Sequence, residues 1–218
     1  MSNEGNIKQS THTAAKNCRI PIWITISYTM MVCVIVPVYW KEYGSVNFLW
    51  FSDIALLLMV PALWLKSPLL SSMMAIGVLP FETIWMVAFF SGGTLGHMAD
   101  YMFDPHLSIF LRGLSLFHFP MPAVIIFMLI RFGYDKRALL AQTILALIVI
   151  PLTYALTTPE DNINWVYGAD GVQTMFPPLI YLALLAFTMV CLVFVPMHLL
   201  LKKLFPLLND KKKGELYG

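Results

Sequence analysis

Three polar side chains fall within one otherwise apolar stretch, LRGLSLFHFPMP (111–122): Arg112, Ser115 and His118. At 100° per residue, positions i, i+3 and i+6 lie within ~120° of one helical face. Histidine titrates near neutrality and becomes a general base after a small shift. Arginine brings a permanent charge, and serine a hydroxyl that can donate, accept or attack. A charge at the centre of a bilayer costs about 2.5 kcal/mol or more, so such groups face a bundle interior and find partners. Pro120 and Pro122 follow at once. Neither has an N–H, so the carbonyls of Leu116 and His118 lose their usual donors and a helix break is expected.

Two more stretches carry chemistry. FSDIA places Ser52 beside Asp53, and PFETIW supplies Glu82. Arg112 is the expected partner of either Asp53 or Glu82. Ser52 becomes a nucleophile only with a base in reach and a site for the oxyanion, and His118 is the candidate base. Adjacent helical positions differ by 100°, so Ser52 and Asp53 cannot point equally well at one spot. The same four ionisable groups also fit a structural network that fixes helix register. Desolvation consumes most of the gain from such a network, which weighs against that reading.

Two loops complete the inventory. HMADYMFDPH carries His97, Asp100, Asp104 and His106, a weak candidate metal set whose spacing matches no sharp zinc pattern. TTPEDNINWVYGADG carries Asn162, Asn164 and Tyr167. It reads either as a turn-rich interfacial loop or as a lid whose Asn162 or Asn164 donates hydrogen bonds into a pocket. Ser115, Asn162, Asn164 and Tyr167 are the candidate substrate-binding residues. No cofactor is implied.

These residues need elements to position them, and the composition says which. The chain has 218 residues, of which 59% are hydrophobic and 12% charged, with mean hydropathy +0.74. That composition excludes an ordinary soluble domain and a nucleic-acid-binding one. Cys18, Cys33 and Cys191 have no CxxC spacing. Residues 1–19 are polar, with no cleavable signal peptide expected. Six segments approach the ~20 residues that cross a bilayer: Ile20–Trp40, Val46–Leu65, Pro68–Phe90, Leu107–Ile130, Ala138–Thr157 and Met175–Leu201. The expected fold is therefore all-α, a six-transmembrane-helix bundle over residues 20–201. A tail precedes it (1–19) and a basic tail follows (202–218).

In that six-span arrangement, 12 of the 14 Lys and Arg residues lie on one side. Lys41 lies opposite and Arg112 lies within a span. The positive-inside rule then puts both termini in the cytoplasm, as expected of a multi-pass inner-membrane protein. At ~1.5 Å per residue, Asp53, Glu82, Arg112 and His118 all fall roughly 8–16 Å below the outer surface. His198 is the one comparable residue near the inner interface.

The strings NFLWFSDIALLL, YMFDPHLSIFLRGLSLFH and NINWVYG resemble an uncharacterised group of bacterial six-span inner-membrane proteins. More distantly the layout is similar to the YwaF-like bacterial proteins and their eukaryotic relatives, the androgen-induced/ADTRP-like fatty-acid ester hydrolases and a plasmalogen-forming membrane acyltransferase. The resemblance implies a nucleophile near the start of the second helix, where Ser52 stands in place of a cysteine, and a histidine on the fourth, matched by His118. It implies an acyl-ester hydrolase or acyltransferase acting on membrane lipid. In that reading Asp53, with Arg112 or Glu82, orients the base. A small proton-coupled transporter and a non-catalytic scaffold are the rival expectations.

Overall fold

The computed structural model describes residues 20–169 and 171–206. The tail read as 1–19, and all of 202–218 beyond residue 206, lie outside the described residues. Eight α-helical segments run in order: α1 (Ile22–Tyr43), α2 (Phe51–Trp64), α3 (Pro68–Phe90), α4 (Ile109–Ser115), α5 (Pro120–Phe132), α6 (Ala138–Leu156), α7 (Pro178–Thr188) and α8 (Val195–Leu204). Among the described residues there is no strand. The last helix ends at Leu204, so Lys202 and Lys203 belong to it rather than to a separate tail.

Among the described residues, five stretches are long and apolar enough to cross a membrane: Ile22–Tyr43, Pro68–Phe90, Ile109–Phe132, Ala138–Leu156 and Pro178–Leu204. Their outward faces carry large apolar side chains such as Trp23, Ile109, Leu147, Phe187 and Leu192 in the open. Water would penalise such a surface, and hydrocarbon would not.

The second predicted segment departs from expectation. Instead of one helix over Val46–Leu65, a 3-10 turn (Ser45–Leu49) leads through an extended Trp50 into α2, which has 14 residues. At 1.5 Å per residue α2 covers only about 21 Å. The reason is local. The Asn164 side chain receives the Phe51 N–H (3.1 Å) and donates to the Leu49 carbonyl (2.7 Å), which holds the chain open around Trp50.

The expected break at the proline pair is present. Leu116–His118 form a single 3-10 turn between α4 and α5, and the Leu116 carbonyl takes the Phe119 N–H (3.0 Å) in place of the donor that Pro120 lacks.

α3 is the central post, packed against α2, α5 and α6. Ser67 caps it by accepting the Leu70 N–H, with Pro68 at the first helical position. Small residues Ser71, Ser72, Ala75 and Gly77 let its neighbours approach closely. At Gly77 a Cβ would stand 2.3 Å from the end of the Gln142 side chain on α6, so a larger residue there would have to displace that amide. Glu82 and Trp85 follow farther along the same helix, and they open the site.

Candidate functional site

Near the end of α1 and the start of α2 the helices part around a cavity of about 610 Å³. Ser52 and Asp53 from α2, Trp85 from α3, and Ser115, Phe117 and His118 from the broken span form its walls. A second void of about 50 Å³ adjoins it, lined by Glu82, His118, Ser52 and Asn164 among others.

The geometry centres on His118. Its Nδ1 lies 2.7 Å from Glu82 Oε2, and both side chains are buried. The imidazole is sandwiched between Trp85 (centroids 4.4 Å, 23°) and Phe117 (4.1 Å, 27°). A carboxylate can only accept, so a neutral imidazole in this contact carries its proton on Nδ1 and keeps the Nε2 lone pair. The 3-10 turn makes this possible, because it turns His118 toward α3 where a continuous helix would have continued past.

Asp53 is 4% exposed. Asn47 Nδ2 donates to its Oδ2 (3.2 Å), and its Oδ1 is buried with no hydrogen-bond partner. Asp53 also sits in the first turn of α2, where the helix dipole favours negative charge. Both Ser52 and Asp53 reach the cavity wall, so the 100° between them does not exclude either. No hydrogen bond joins Ser52 to His118. The Ser115 hydroxyl is engaged, with the Tyr39 hydroxyl at 2.8 Å and the Leu111 carbonyl at 3.3 Å.

The expected ion pair of Arg112 with Asp53 or Glu82 is not formed. Arg112 Nη1 donates to the Met102 carbonyl (3.1 Å), and the residue lies outside the cavity wall. On the same short helix Ser115, three residues on, does face the cavity.

The candidate binding residues of the 157–171 loop hold the loop itself. Asn162 accepts the Tyr167 N–H (3.1 Å) and donates to the Gly168 carbonyl (2.8 Å). The Tyr167 hydroxyl is bonded to the carbonyls of Tyr154 and Thr157. Neither residue lines the cavity. Asn164 reaches only the smaller void, with its amide spent on α2 as described. The loop's contribution is Trp165. Asn162, Asn164 and Trp165 all have positive φ (37°, 53° and 57°). Asparagine tolerates that region, but for tryptophan it is an outlier that its surroundings must enforce. Enforced, it lays the indole against Trp50 (6.0 Å) and Phe81 (5.8 Å) at the cavity edge.

In the 91–108 loop, His97 Nδ1 meets Asp100 Oδ2 at 2.7 Å, well exposed. Asp104 instead accepts the His106 N–H (2.8 Å). Among the described residues no three His, Cys, Asp or Glu side chains converge as a metal would need. The same loop supplies a residue that the sequence reading passed over. The Tyr101 hydroxyl accepts the Trp85 indole N–H (3.1 Å) and lines the cavity beside Ser115. Burial pushes it up to about 12, so it remains protonated and can donate. Its signal was only a lone tyrosine among acidic residues. Comparison with protein-family models, curated proteins and solved structures gives no match for this chain.

Proposed function

We propose that the protein is a six-span inner-membrane enzyme with both termini in the cytoplasm, and that it hydrolyses or transfers an acyl ester of a membrane lipid at this cavity. The observation that carries the reading is the buried Glu82–His118 hydrogen bond at the wall of a cavity shared with Ser52. The lysine and arginine asymmetry orients the bundle, so the cavity lies in the outer half of the membrane. There an acyl ester can enter from the lipid side. The resemblance of FSDIA to a helix-start nucleophile string agrees with the place of Ser52.

The steps follow from the residues. Glu82 fixes the Nδ1–H tautomer and stabilises the imidazolium that forms. His118 Nε2 takes the Ser52 proton as the oxygen attacks the ester carbonyl. The tetrahedral oxyanion is met by the Tyr101 hydroxyl or by the backbone N–H of Ser52 or Asp53, which at the second and third positions of α2 have no intrahelical acceptor. The imidazolium returns its proton to the departing alkoxide, leaving an acyl-serine. Water, or the hydroxyl of an acceptor lipid, then repeats the sequence and frees Ser52.

A fluorophosphonate probe tests this on purified full-length protein. Labelling is expected in the wild type and in Ser115→Ala, and to be lost in Ser52→Ala. Labelling that survives in Ser52→Ala but vanishes in Ser115→Ala would move the nucleophile to α4. No labelling in any folded variant removes the hydrolase reading. Transport is then favoured by one observation: Gln142 on α6 is fully buried with neither amide atom bonded, a polar step between the two ends of the bundle.

A further inference from the structure

The cavity is lined by seven aromatic side chains, yet by no lysine or arginine among the described residues. Among the described residues its one carboxyl group is that of Asp53, and Glu82 lines the adjoining void. Glu82 is matched to His118, but Asp53 has only a neutral amide on one oxygen and nothing on the other. An unpartnered buried carboxylate oxygen costs free energy until a donor reaches it. Asp53 lines the cavity, with Oδ1 buried in its wall and unbonded. Tyr39, Tyr43, Trp50 and Trp165 line the same cavity, while Trp85 has its two faces stacked on His118 and Phe89. Aromatic faces attract a cation through their quadrupole, most strongly where water is excluded. A phosphate or carboxylate would meet Asp53 with no compensating cation.

We infer that the cavity binds a primary ammonium group, which donates to Asp53 and lies against the tyrosine and tryptophan faces. A quaternary ammonium satisfies the rings but has no N–H for the carboxylate, so the unbonded oxygen selects the primary amine. Lipid headgroups of the ethanolamine type carry such a group, and so do free alkylamines. The inference rests on the cavity being the substrate site of the proposed enzyme and names the substrate class. Its binding assay needs no turnover.

The test uses full-length protein in nanodiscs, read by the fluorescence of the cavity tryptophans. Ethylammonium should bind saturably, and at least tenfold more tightly than tetramethylammonium. Asp53→Asn, close in shape, should weaken ethylammonium at least tenfold and abolish the preference. Should that variant misfold, Trp165→Leu serves instead, with a weakening of at least threefold. Protein repurified from mixed vesicles should carry phosphatidylethanolamine in excess over phosphatidylcholine and phosphatidylglycerol. Ethylammonium selectivity without that excess keeps the ammonium site and assigns it to a soluble amine. No saturable ethylammonium binding, equal binding of the two cations, or an unaffected Asp53→Asn overturns the inference. If fluorophosphonate labelling persists in that case, the hydrolase reading stands alone. Binding without labelling sinks the hydrolase reading and leaves the ammonium site.

Discussion

α3 passes through two polar layers, one at Ser72 and one at Glu82, about 15 Å apart along the helix. At the first, the polar groups pair with one another. Ser72 Oγ accepts the Asp135 N–H (2.9 Å), and Asp135 binds Arg137 through both oxygens (2.7–3.2 Å). Tyr134 joins His198 (2.7 Å), and its N–H goes to the Phe205 carbonyl (2.6 Å). The layer ties the α5–α6 turn to α3 and α8. At the second layer, Asp53 Oδ1 is unbonded, His118 keeps a free nitrogen and a cavity of about 610 Å³ stands beside them. Both layers hold buried carboxylates, hydroxyls and a histidine. The difference is satisfaction and space. A closed network holds helices together, whereas an open one keeps capacity for a ligand.

Breaking the open layer should give the largest effect. His118→Ala is expected to slow fluorophosphonate labelling by about 10²–10⁴-fold and to cost about 3–5 kcal/mol by stranding Glu82. Adding Glu82→Gln should restore much of the stability and none of the labelling, measured by thermal melting beside labelling rate. Recovery of both would make the pair purely structural.

Asn164→Ala probes the link between loop and site. It leaves the buried Phe51 N–H without an acceptor, so a loss of about 1–3 kcal/mol is expected. Labelling should fall as well, because the start of α2 is released. Unchanged labelling would show that the position of Ser52 does not matter.

In the closed layer, Ser72→Ala strands the Asp135 N–H and should also cost about 1–3 kcal/mol, this time with labelling intact. That split between melting temperature and labelling is what separates the two layers.

Acid gives a smaller handle. Hydrogen bonds from Arg137 hold the Asp135 carboxyl below the usual carboxylate range. A carboxyl with a depressed folded pKa contributes its stability above its unfolded value, about 3.9, and loses it as pH falls through the lower folded value. Wild-type melting temperature should therefore drop below about pH 4, and Asp135→Asn should show a shallower acid loss. Parallel profiles would exclude this pair as the cause.

Smallest is Arg112→Gln. It gives up one bond to a carbonyl, of about 1 kcal/mol, and its effect should add to that of Asp53→Asn within about 0.5 kcal/mol. A coupling well above that would restore the pairing that the geometry denies.

Much of this was legible in the residues. Apolar runs near 20 residues marked the helices, because each backbone group in hydrocarbon must bond within its own segment. The proline pair marked the break, since a missing N–H is a covalent fact. Asp53, Glu82 and His118 were identifiable as candidates because ionisable groups are costly in lipid wherever they sit. What only the tertiary structure decided was pairing and direction. Glu82 pairs with His118 and not with Arg112, because a 3-10 turn, about 20° tighter per residue than an α-helix, re-aims everything after it. Asn164 shortened α2 from 113 positions away, a contact that no local pattern encodes. Trp165 reached the cavity edge through a left-handed backbone that its own type disfavours, imposed by neighbours that meet it only in the folded chain.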